Sequence, residues 1–302
     1  MQVFRKPARA MRLNAIAAAC LLSSALLAPA SADEVETFRD SSRIVSVGGA
    51  LTEIVYGLGE EGRLVARDTT STYPESVREI QDVGYMRALS PEGVLSVNPT
   101  AIIAAEGSGP ETTMSVLEKA DVDMVIVPEG YSREGILRKI RVIGTALGVE
   151  EKAQTLAAKV DSDLRAAEKA AREQTGEKRV LFILSMQGGR VLAAGGHTAA
   201  DGIIQMAGAI NAVEGYSGYK QMTDEAIAEA APDVILMMKR GEGPERGEDQ
   251  VFAHPAISGT PAGRNRALIT MDGSYLLGFG PRTASAIRDL SARLHDVKAA
   301  TD

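Results

Sequence analysis

Short runs of apolar, β-branched residues alternate with longer amphipathic stretches along most of the chain. The runs at 43–47, 100–104 and 122–127 have the composition of buried strands, and the stretch 133–147 carries apolar positions at helical spacing. Gly148 follows that stretch, as is typical of a helix C-terminus. Strands that alternate with helices predict a parallel sheet covered on both faces. The first half of the chain is therefore predicted to be an α/β lobe.

A second series of the same kind begins near residue 178. Its predicted strands are 178–185, 190–194, 233–239 and 267–271, with a closing helix at 282–295. Between the two series, residues 150–174 contain neither Gly nor Pro and are rich in Ala, Glu, Lys and Arg. That composition predicts one helix of roughly 37 Å. The predicted fold class is α/β, with two Rossmann-like lobes built on parallel sheets and joined by one long spine helix.

Four segments follow from this prediction. They are a leader at 1–32, a first lobe at 33–148, the spine at 149–177 and a second lobe at 178–302.

Residues 1–32 have the organisation of a cleavable secretory signal peptide. A cationic start is followed by an apolar run from Leu13 to Ala28 and by the small-residue cleavage site Ala30-Ser31-Ala32. The apolar run is too short for a membrane anchor. Lipidation at Cys20 is the other alternative, which the apolar sequence beyond Cys20 disfavours. We expect a soluble monomer that is exported to the periplasm.

The charge balance argues against nucleic acid and anionic membranes as partners. The whole chain has a net charge of −7, and removing residues 1–32 takes away four cations and no carboxylate, which leaves −11. An acidic protein is poorly suited to nucleic acid, so we expect no nucleic-acid partner. The sequence also lacks G-x-S-x-G, H-E-x-x-H and P-loop motifs. The absence of these motifs favours a binding role over catalysis, and we expect that the protein is not an enzyme.

A phenol and a guanidinium lie two residues apart in the segment Gly84-Tyr85-Met86-Arg87. Gly84 permits a turn, and Ser90-Pro91 predicts a helix start with Ser90 as the N-cap. Tyr85 and Arg87 therefore lie on a short loop between two ordered elements. From these residues alone, a packed Tyr and a solvated Arg remain the ordinary alternative.

The segment Gly84-Tyr85-Met86-Arg87, followed by Leu89-Ser90-Pro91-Glu92-Gly93, resembles the haem-ligand loop of periplasmic haem-binding proteins of bacterial ABC importers. The resemblance runs from about residue 43 to the C-terminus and implies a substrate-binding protein of the helical-spine class. In that family the Tyr is the axial ligand to ferric haem. The resemblance implies that Tyr85 binds the iron of ferric haem b, a transported ligand, because ferric iron favours an anionic oxygen.

Three further residues are candidates for the haem site. Arg87 is the local cation, and the resemblance implies that Arg240 hydrogen-bonds the Tyr oxygen or faces the haem. His197 lies in a Gly-rich turn similar to one in haem binders of this class, where it could be a second iron ligand or bind a second haem. A solvated Arg240 and a structural His197 remain the alternatives. Candidate cleft walls in the second lobe are Tyr216, Tyr219, Met222, Met271, Tyr275 and Phe279.

Two glutamates are candidates for docking to an inner-membrane ABC permease. The segment 49–53 is similar to the helix start at which this transporter class presents an exposed Glu to an Arg of the permease. Thr52 is predicted to begin that helix, which places Glu53 in the first turn, where the helix dipole also favours an acid. Glu225 is the predicted counterpart in the second lobe, with Glu214 as the alternative.

The function predicted from these residues is capture of haem between the lobes and its delivery to the permease. A siderophore or cobalamin carrier of the same fold is one alternative. An extracytoplasmic haem-modifying enzyme is the other.

Overall fold

The computed structural model describes residues 35–174, 176–239 and 248–297. The predicted signal peptide lies outside these residues. The first lobe contains a sheet in the order β3-β2-β1-β4-β5, in which every pair is parallel, as predicted. Its strands are β1 (Ile44–Val47), β2 (Leu64–Arg67), β3 (Gln81–Asp82), β4 (Ala101–Ala105) and β5 (Asp123–Val127).

The second lobe contains a mixed sheet in the order β11-β10-β6-β7-β9, with β8 beside β6. Its strands are β6 (Arg179–Gln187), β7 (Arg190–Ala194), β8 (Ile210–Asn211), β9 (Tyr219–Met222), β10 (Val234–Lys239) and β11 (Leu268–Asp272). The sheet is not wholly parallel as predicted, because β7 runs antiparallel to β6 and β9. Gly188 and Gly189 both have positive φ, which permits the tight hairpin between β6 and β7.

Helices cover both sheets. They are α1 (Gly49–Gly57), α2 (Pro91–Leu95), α3 (Glu111–Glu118), α4 (Arg133–Leu147), α5 (Glu150–Gln174), α6 (Ala199–Met206), α7 (Asp224–Ala230), α8 (Glu248–Phe252), α9 (Pro255–Ser258), α10 (Pro261–Asn265), α11 (Gly273–Leu277) and α12 (Thr283–Asp296). Within the described ranges, none of them is both long enough and apolar enough to cross a membrane.

The α1 helix begins at Gly49, three residues before the predicted start at Thr52. The Thr52 hydroxyl does not cap a helix, because it donates to the Ser46 hydroxyl and shares a second hydrogen bond with Ser71, both at 2.8 Å. Glu53 consequently lies in the second turn of α1. The helix-dipole argument for an acid at that position no longer applies.

The predicted spine is one continuous helix, α5, with the predicted ends. It packs against α4 and α12 through a stripe of buried residues that recur every three or four positions, as in any amphipathic helix with one apolar face. The stripe consists of Ala153, Ala157, Val160, Leu164, Ala167 and Ala171. Its small residues let the helices approach closely: a β-carbon at Gly144 of α4 would come within 2.2 Å of the Ala153 β-carbon. The spine therefore belongs to the same apolar core as both lobes.

Candidate functional site

The loop between β3 and α2 presents Tyr85 and Arg87 to solvent. Tyr85 is 47% exposed, and its carbonyl accepts a hydrogen bond of 2.7 Å from the Ala88 amide, which closes a turn around the two side chains. Ser90 then caps α2 by accepting from the Gly93 amide at 2.9 Å, with Pro91 at the first helical position. The sequence predicted this local structure, because the cap and the proline are both local signals.

The charge of Arg87 acts on two phenols, one in each lobe. Tyr131 follows β5 in the first lobe, and Tyr219 begins β9 in the second lobe. Burial raises the pKa of both phenols, and the positive charge of Arg87 opposes that rise at each of them. Arg87 therefore lies within electrostatic range of one phenol in each lobe.

The walls of this region include Tyr131, which the sequence analysis missed. Its ring meets Phe279 of the second lobe edge-on, with 5.3 Å between the ring centroids. The α6 helix also approaches Tyr131, since a β-carbon at Gly202 would come within 2.4 Å of the Tyr131 carbonyl oxygen. A lone Tyr in a loop after a strand gives no sequence signal for such a position. Only the packing of the lobes identifies it.

Of the predicted cleft walls in the second lobe, Tyr219 is 38% exposed; burial raises the pKa of its phenol, and the Arg87 charge opposes that rise. Phe279 is 1% exposed, and Met271 is 4% exposed, so both belong mainly to the core. Tyr216 donates to the Ala193 carbonyl at 3.3 Å and packs in the second lobe. Tyr275 donates to the Asp289 carboxylate at 2.8 Å. The predicted set therefore contains both an exposed residue and core residues.

His197 lies in the turn between β7 and α6, with a φ of 58°. The Asp201 carboxylate accepts from the His197 amide at 3.1 Å, and the ring atom Nδ1 shares a hydrogen bond of 3.1 Å with the Ser217 hydroxyl. The ring is exposed. The other ring nitrogen, Nε2, has no hydrogen bond to any residue that the structure describes, so it is the atom that could bind a ligand.

Arg240, the predicted cation of the second lobe, lies outside the described residues. The strand that leads to it, β10, ends at Lys239, which pairs in register with Asp272 of β11.

Glu53 is not the exposed docking residue that the sequence predicted. It is 9% exposed, and its two carboxylate oxygens accept from Nε and Nη2 of Arg282, at 2.9 and 2.5 Å. Burial raises the pKa of the Glu53 carboxyl, and the hydrogen bonds and charge of Arg282 lower it by less. The expectation that Glu53 is exposed was wrong because Arg282, 229 residues away in sequence, covers the carboxylate.

Glu225 is exposed in the first turn of α7, where a backbone N–H and the Thr223 hydroxyl hold the pKa of its carboxyl below the ordinary value. The alternative, Glu214, forms an ion pair of 3.3 Å with Arg179. The first lobe has a matching arrangement in α2. There Glu92 is exposed in the first turn after the Ser90 cap, just as Glu225 follows the Thr223 cap.

The first lobe also places two carboxylates near Tyr131. Glu106 accepts from the backbone amide of Glu129 at 2.9 Å, and both carboxylates act to raise the pKa of Tyr131. Glu129 pairs in turn with Lys139, a lysine that is only 1% exposed. The sequence gave no sign of this chain of charges, because its members come from three different segments.

Comparison with known proteins places this arrangement in context. Residues 44–275 match the model of a family described as periplasmic binding protein. Among related sequences, YvrC of Bacillus subtilis, described as an uncharacterised ABC transporter substrate-binding lipoprotein, is 31% identical over 88% of this chain and 84% of its own length. A vitamin B12-binding protein of Yersinia pestis is 34% identical over 33% of each chain.

Two solved structures are closely similar to this fold. The periplasmic haem-binding protein BhuT, in complex with two haems, superposes with a TM-score of 0.81 at 39% identity, over 85% of this chain and 99% of that chain. The periplasmic haem-binding protein RhuT from Roseiflexus sp. RS-1, in apo form, gives a TM-score of 0.80 at 38% identity, again over 85% and 99%.

Proposed function

This chain belongs to the periplasmic binding protein family, and we propose that it captures ferric haem b between its lobes for a bacterial ABC importer. The family consists of substrate-binding transport proteins, so the proposed role is that of a carrier. The haem is cargo, to be delivered to an inner-membrane permease. The names of BhuT and RhuT, both haem-binding proteins, support haem as the cargo.

The observation that carries the proposal is the exposed Tyr85, two residues before the exposed Arg87, on a loop held at both ends. Haem requires an axial ligand, cations for its two propionates and aromatic or apolar walls. Tyr85 would supply the oxygen ligand that ferric iron favours, and Arg87 a cation. Tyr131 and Tyr219, the phenols on which the Arg87 charge acts, would supply ring surface from either side of the cleft.

His197 would approach from the second lobe. Its Nδ1 is occupied by Ser217, so Nε2 would be the iron-binding atom or would face a second haem. Arg240 remains part of the proposal as a second cation, on the grounds of its position just after β10.

A hemin titration followed by visible absorption tests the proposal. Wild-type protein should give a high-spin ferric spectrum with a phenolate-to-iron charge-transfer band, and Tyr85→Phe should lose that band and bind hemin more weakly. Tyr73→Phe is the matched control, because Tyr73 has the same 47% exposure but lies under the Arg282 guanidinium, away from the Tyr85 loop in sequence. Wild-type affinity and spectrum in Tyr85→Phe would contradict the assignment.

A cobalamin carrier is the second candidate, and the similarity to the vitamin B12-binding protein favours it. Titration with cyanocobalamin beside hemin separates the two cargoes. Binding of cyanocobalamin alone would replace the haem proposal. A ferric siderophore carrier would bind its chelate without any dependence on Tyr85. A haem-modifying enzyme would consume bound haem when a reductant is added, whereas a carrier keeps its haem spectrum.

For permease docking we propose Glu225 in the second lobe and Glu92 in the first, in place of Glu53. Both are exposed, and each lies at the second position of a helix after a Ser or Thr cap. An exposed carboxylate at such a position is free to meet an Arg of a partner, whereas the Glu53 carboxylate is already paired. The two glutamates would mark one contact on each lobe.

We also propose export to the periplasm as a monomer, after cleavage behind Ala32. The tripartite leader in residues 1–32 supports it. N-terminal sequencing of the exported protein should begin at Asp33, and a lipid-modified Cys20 would contradict that start.

A further inference from the structure

The carboxylate of Asp82 ties the Tyr85 loop to the edge of the sheet. Its Oδ1 accepts from the Gly84 amide at 2.7 Å and from the Thr69 hydroxyl at 3.2 Å, and its Oδ2 accepts from Nη1 of Arg67 at 2.7 Å. Gly84 immediately precedes Tyr85 and has a φ of 105°, a conformation that favours glycine. The carboxylate therefore holds the backbone one residue before the proposed iron ligand.

Arg67, on the neighbouring strand β2, holds the Asp82 carboxylate by an ion pair. Arg67 and Asp82 are register partners on the neighbouring strands β2 and β3. Arg67 is 9% exposed, its Nη1 also donates to the Asp68 carbonyl at 3.1 Å, and its Nε is buried without a hydrogen-bond partner among the described residues. The Arg67 guanidinium thus pairs with Asp82, and no other carboxylate in the described ranges forms an ion pair with it.

The next residue along the chain, Asp68, is held in place by hydrogen bonds to both of its carboxylate oxygens. Asp68 is fully buried, and its Oδ1 accepts from the Gly48 amide at 2.9 Å and the Ser71 hydroxyl at 2.7 Å. Its Oδ2 accepts from the amide and the hydroxyl of Thr70. A carboxylate that is buried and hydrogen-bonded on both oxygens fixes the local backbone. Asp82 therefore connects the Tyr85 loop to a fixed part of the first lobe.

Backbone hydrogen bonds hold the loop on both sides of Tyr85. The Gly84 carbonyl accepts from the Thr69 amide at 2.9 Å, the Gly109 amide donates to the Met86 carbonyl at 2.9 Å, and the Gly109 carbonyl accepts from the Leu89 amide at 2.9 Å. Among these ties, the Asp82 carboxylate is a side-chain contact that a single substitution can remove. It is therefore the point at which the orientation of the loop can be tested.

We propose that Asp82 is a positioning residue for Tyr85, which sets the direction of the phenol by holding the Gly84 amide and the Arg67 guanidinium together. This inference rests on the proposed function, in which Tyr85 binds the iron. Residues that orient a metal ligand without touching the metal control its affinity, and losing one costs about 10–100-fold. Asp82 would act through Tyr85 and would not itself contact haem.

The test compares three variants by hemin affinity, charge-transfer spectrum and thermal stability. Asp82→Ala should bind hemin about tenfold more weakly, with a smaller and shifted charge-transfer band. Asp82→Asn keeps an acceptor for the Gly84 amide, so its spectrum should lie nearer to that of wild type. If Asp82→Ala does not fold, Asp82→Asn still tests the positioning role.

Asp123→Ala is the matched control. Asp123 lies on β5, at the opposite edge of the same sheet, and it too accepts from one backbone amide and one guanidinium, both of Arg39, at 2.6 and 2.7 Å. Both Ala variants should lose similar thermal stability, but Asp123→Ala should keep wild-type affinity and spectrum. A spectroscopic change confined to Asp82 is the result that a merely structural carboxylate would not give.

The outcomes separate this inference from the proposed function. If Tyr85→Phe alters the spectrum but Asp82→Ala and Asp82→Asn leave it unchanged, the positioning role alone is overturned. The same holds if Asp123→Ala alters the spectrum as much as Asp82→Ala does. A wild-type spectrum that Tyr85→Phe leaves unchanged overturns the proposed function, and the role of Asp82 with it.

Discussion

Arg282 joins the two lobes through a bidentate ion pair with Glu53 of α1. The guanidinium lies 3.8 Å from the ring centroid of Tyr73 in the first lobe and 5.2 Å from that of Tyr275 in the second. A β-carbon at the nearby Gly280 would come within 3.2 Å of the Ala50 β-carbon, so the backbones also meet closely here. We call this set of contacts, centred on Glu53 and Arg282, the inter-lobe pair. It links the two lobes.

The inter-lobe pair should contribute measurably to stability. Arg282→Ala leaves the buried Glu53 carboxylate without its partner, which should lower the free energy of unfolding by about 3 kcal/mol. The double variant Glu53→Ala/Arg282→Ala should lose less than the sum of the two single variants, because it leaves no charge unpaired. Urea unfolding of the four proteins measures both effects.

The control is Arg165→Ala, which removes a surface pair with Asp161 whose Arg side chain is 62% exposed. An exposed pair of this kind should change stability by less than about 0.5 kcal/mol. Equal losses in Arg165→Ala and Arg282→Ala would contradict the special contribution of the inter-lobe pair.

The raised pKa of Glu53 should make stability depend on pH. Because the folded carboxyl binds its proton more tightly than the unfolded one, whose ordinary value is 4.5, folding is favoured where Glu53 is protonated. The stability that Glu53 contributes should therefore be fully present below pH 4.5 and fall as pH rises through the raised folded value. Glu53→Gln cannot titrate, so the difference between wild type and Glu53→Gln across this window isolates the effect. A difference that does not change with pH would refute it.

The roles of His197 and Arg87 should be distinguishable by the visible absorption of bound haem. His197→Ala should change the spin state or the haem stoichiometry if Nε2 binds iron or faces a second haem. Arg87→Ala should weaken hemin binding with a smaller spectral change, because a cation near the propionates adds charge-assisted hydrogen bonds without ligating iron. Hemin titration of both variants beside wild type checks this. An unchanged spectrum and stoichiometry in His197→Ala would assign that residue a structural role.

Docking should depend on Glu92 and Glu225 and not on the cleft. Glu92→Ala and Glu225→Ala should keep wild-type hemin affinity but deliver haem more slowly to the permease in reconstituted vesicles, because exposed charges at a protein interface mainly govern association. Glu118→Ala, which removes an exposed acid at the C-terminal end of α3, is the control and should transport normally. Wild-type transport by Glu92→Ala and Glu225→Ala would exclude them as docking residues.

The sequence by itself determined the features that rest on local signals. The spine at 150–174, the Ser90-Pro91 start of α2 and the end of α4 at Gly148 all have the predicted bounds. Helix propensity, capping and glycine conformation act within a few residues, so a single sequence expresses them directly. The Tyr85 loop was placed between ordered elements for the same reason.

Only the tertiary structure decided which side chains face each other. The pairing of Glu53 with Arg282, the place of Tyr131 beside Phe279, and the antiparallel β7 and β9 depend on contacts between segments far apart in sequence. The helix start predicted at Thr52 failed for a similar reason, because the Ser46 and Ser71 hydroxyls engage the Thr52 hydroxyl. Such contacts leave no periodic or local trace in the sequence, since their energy arises only when separate segments pack together in the folded chain.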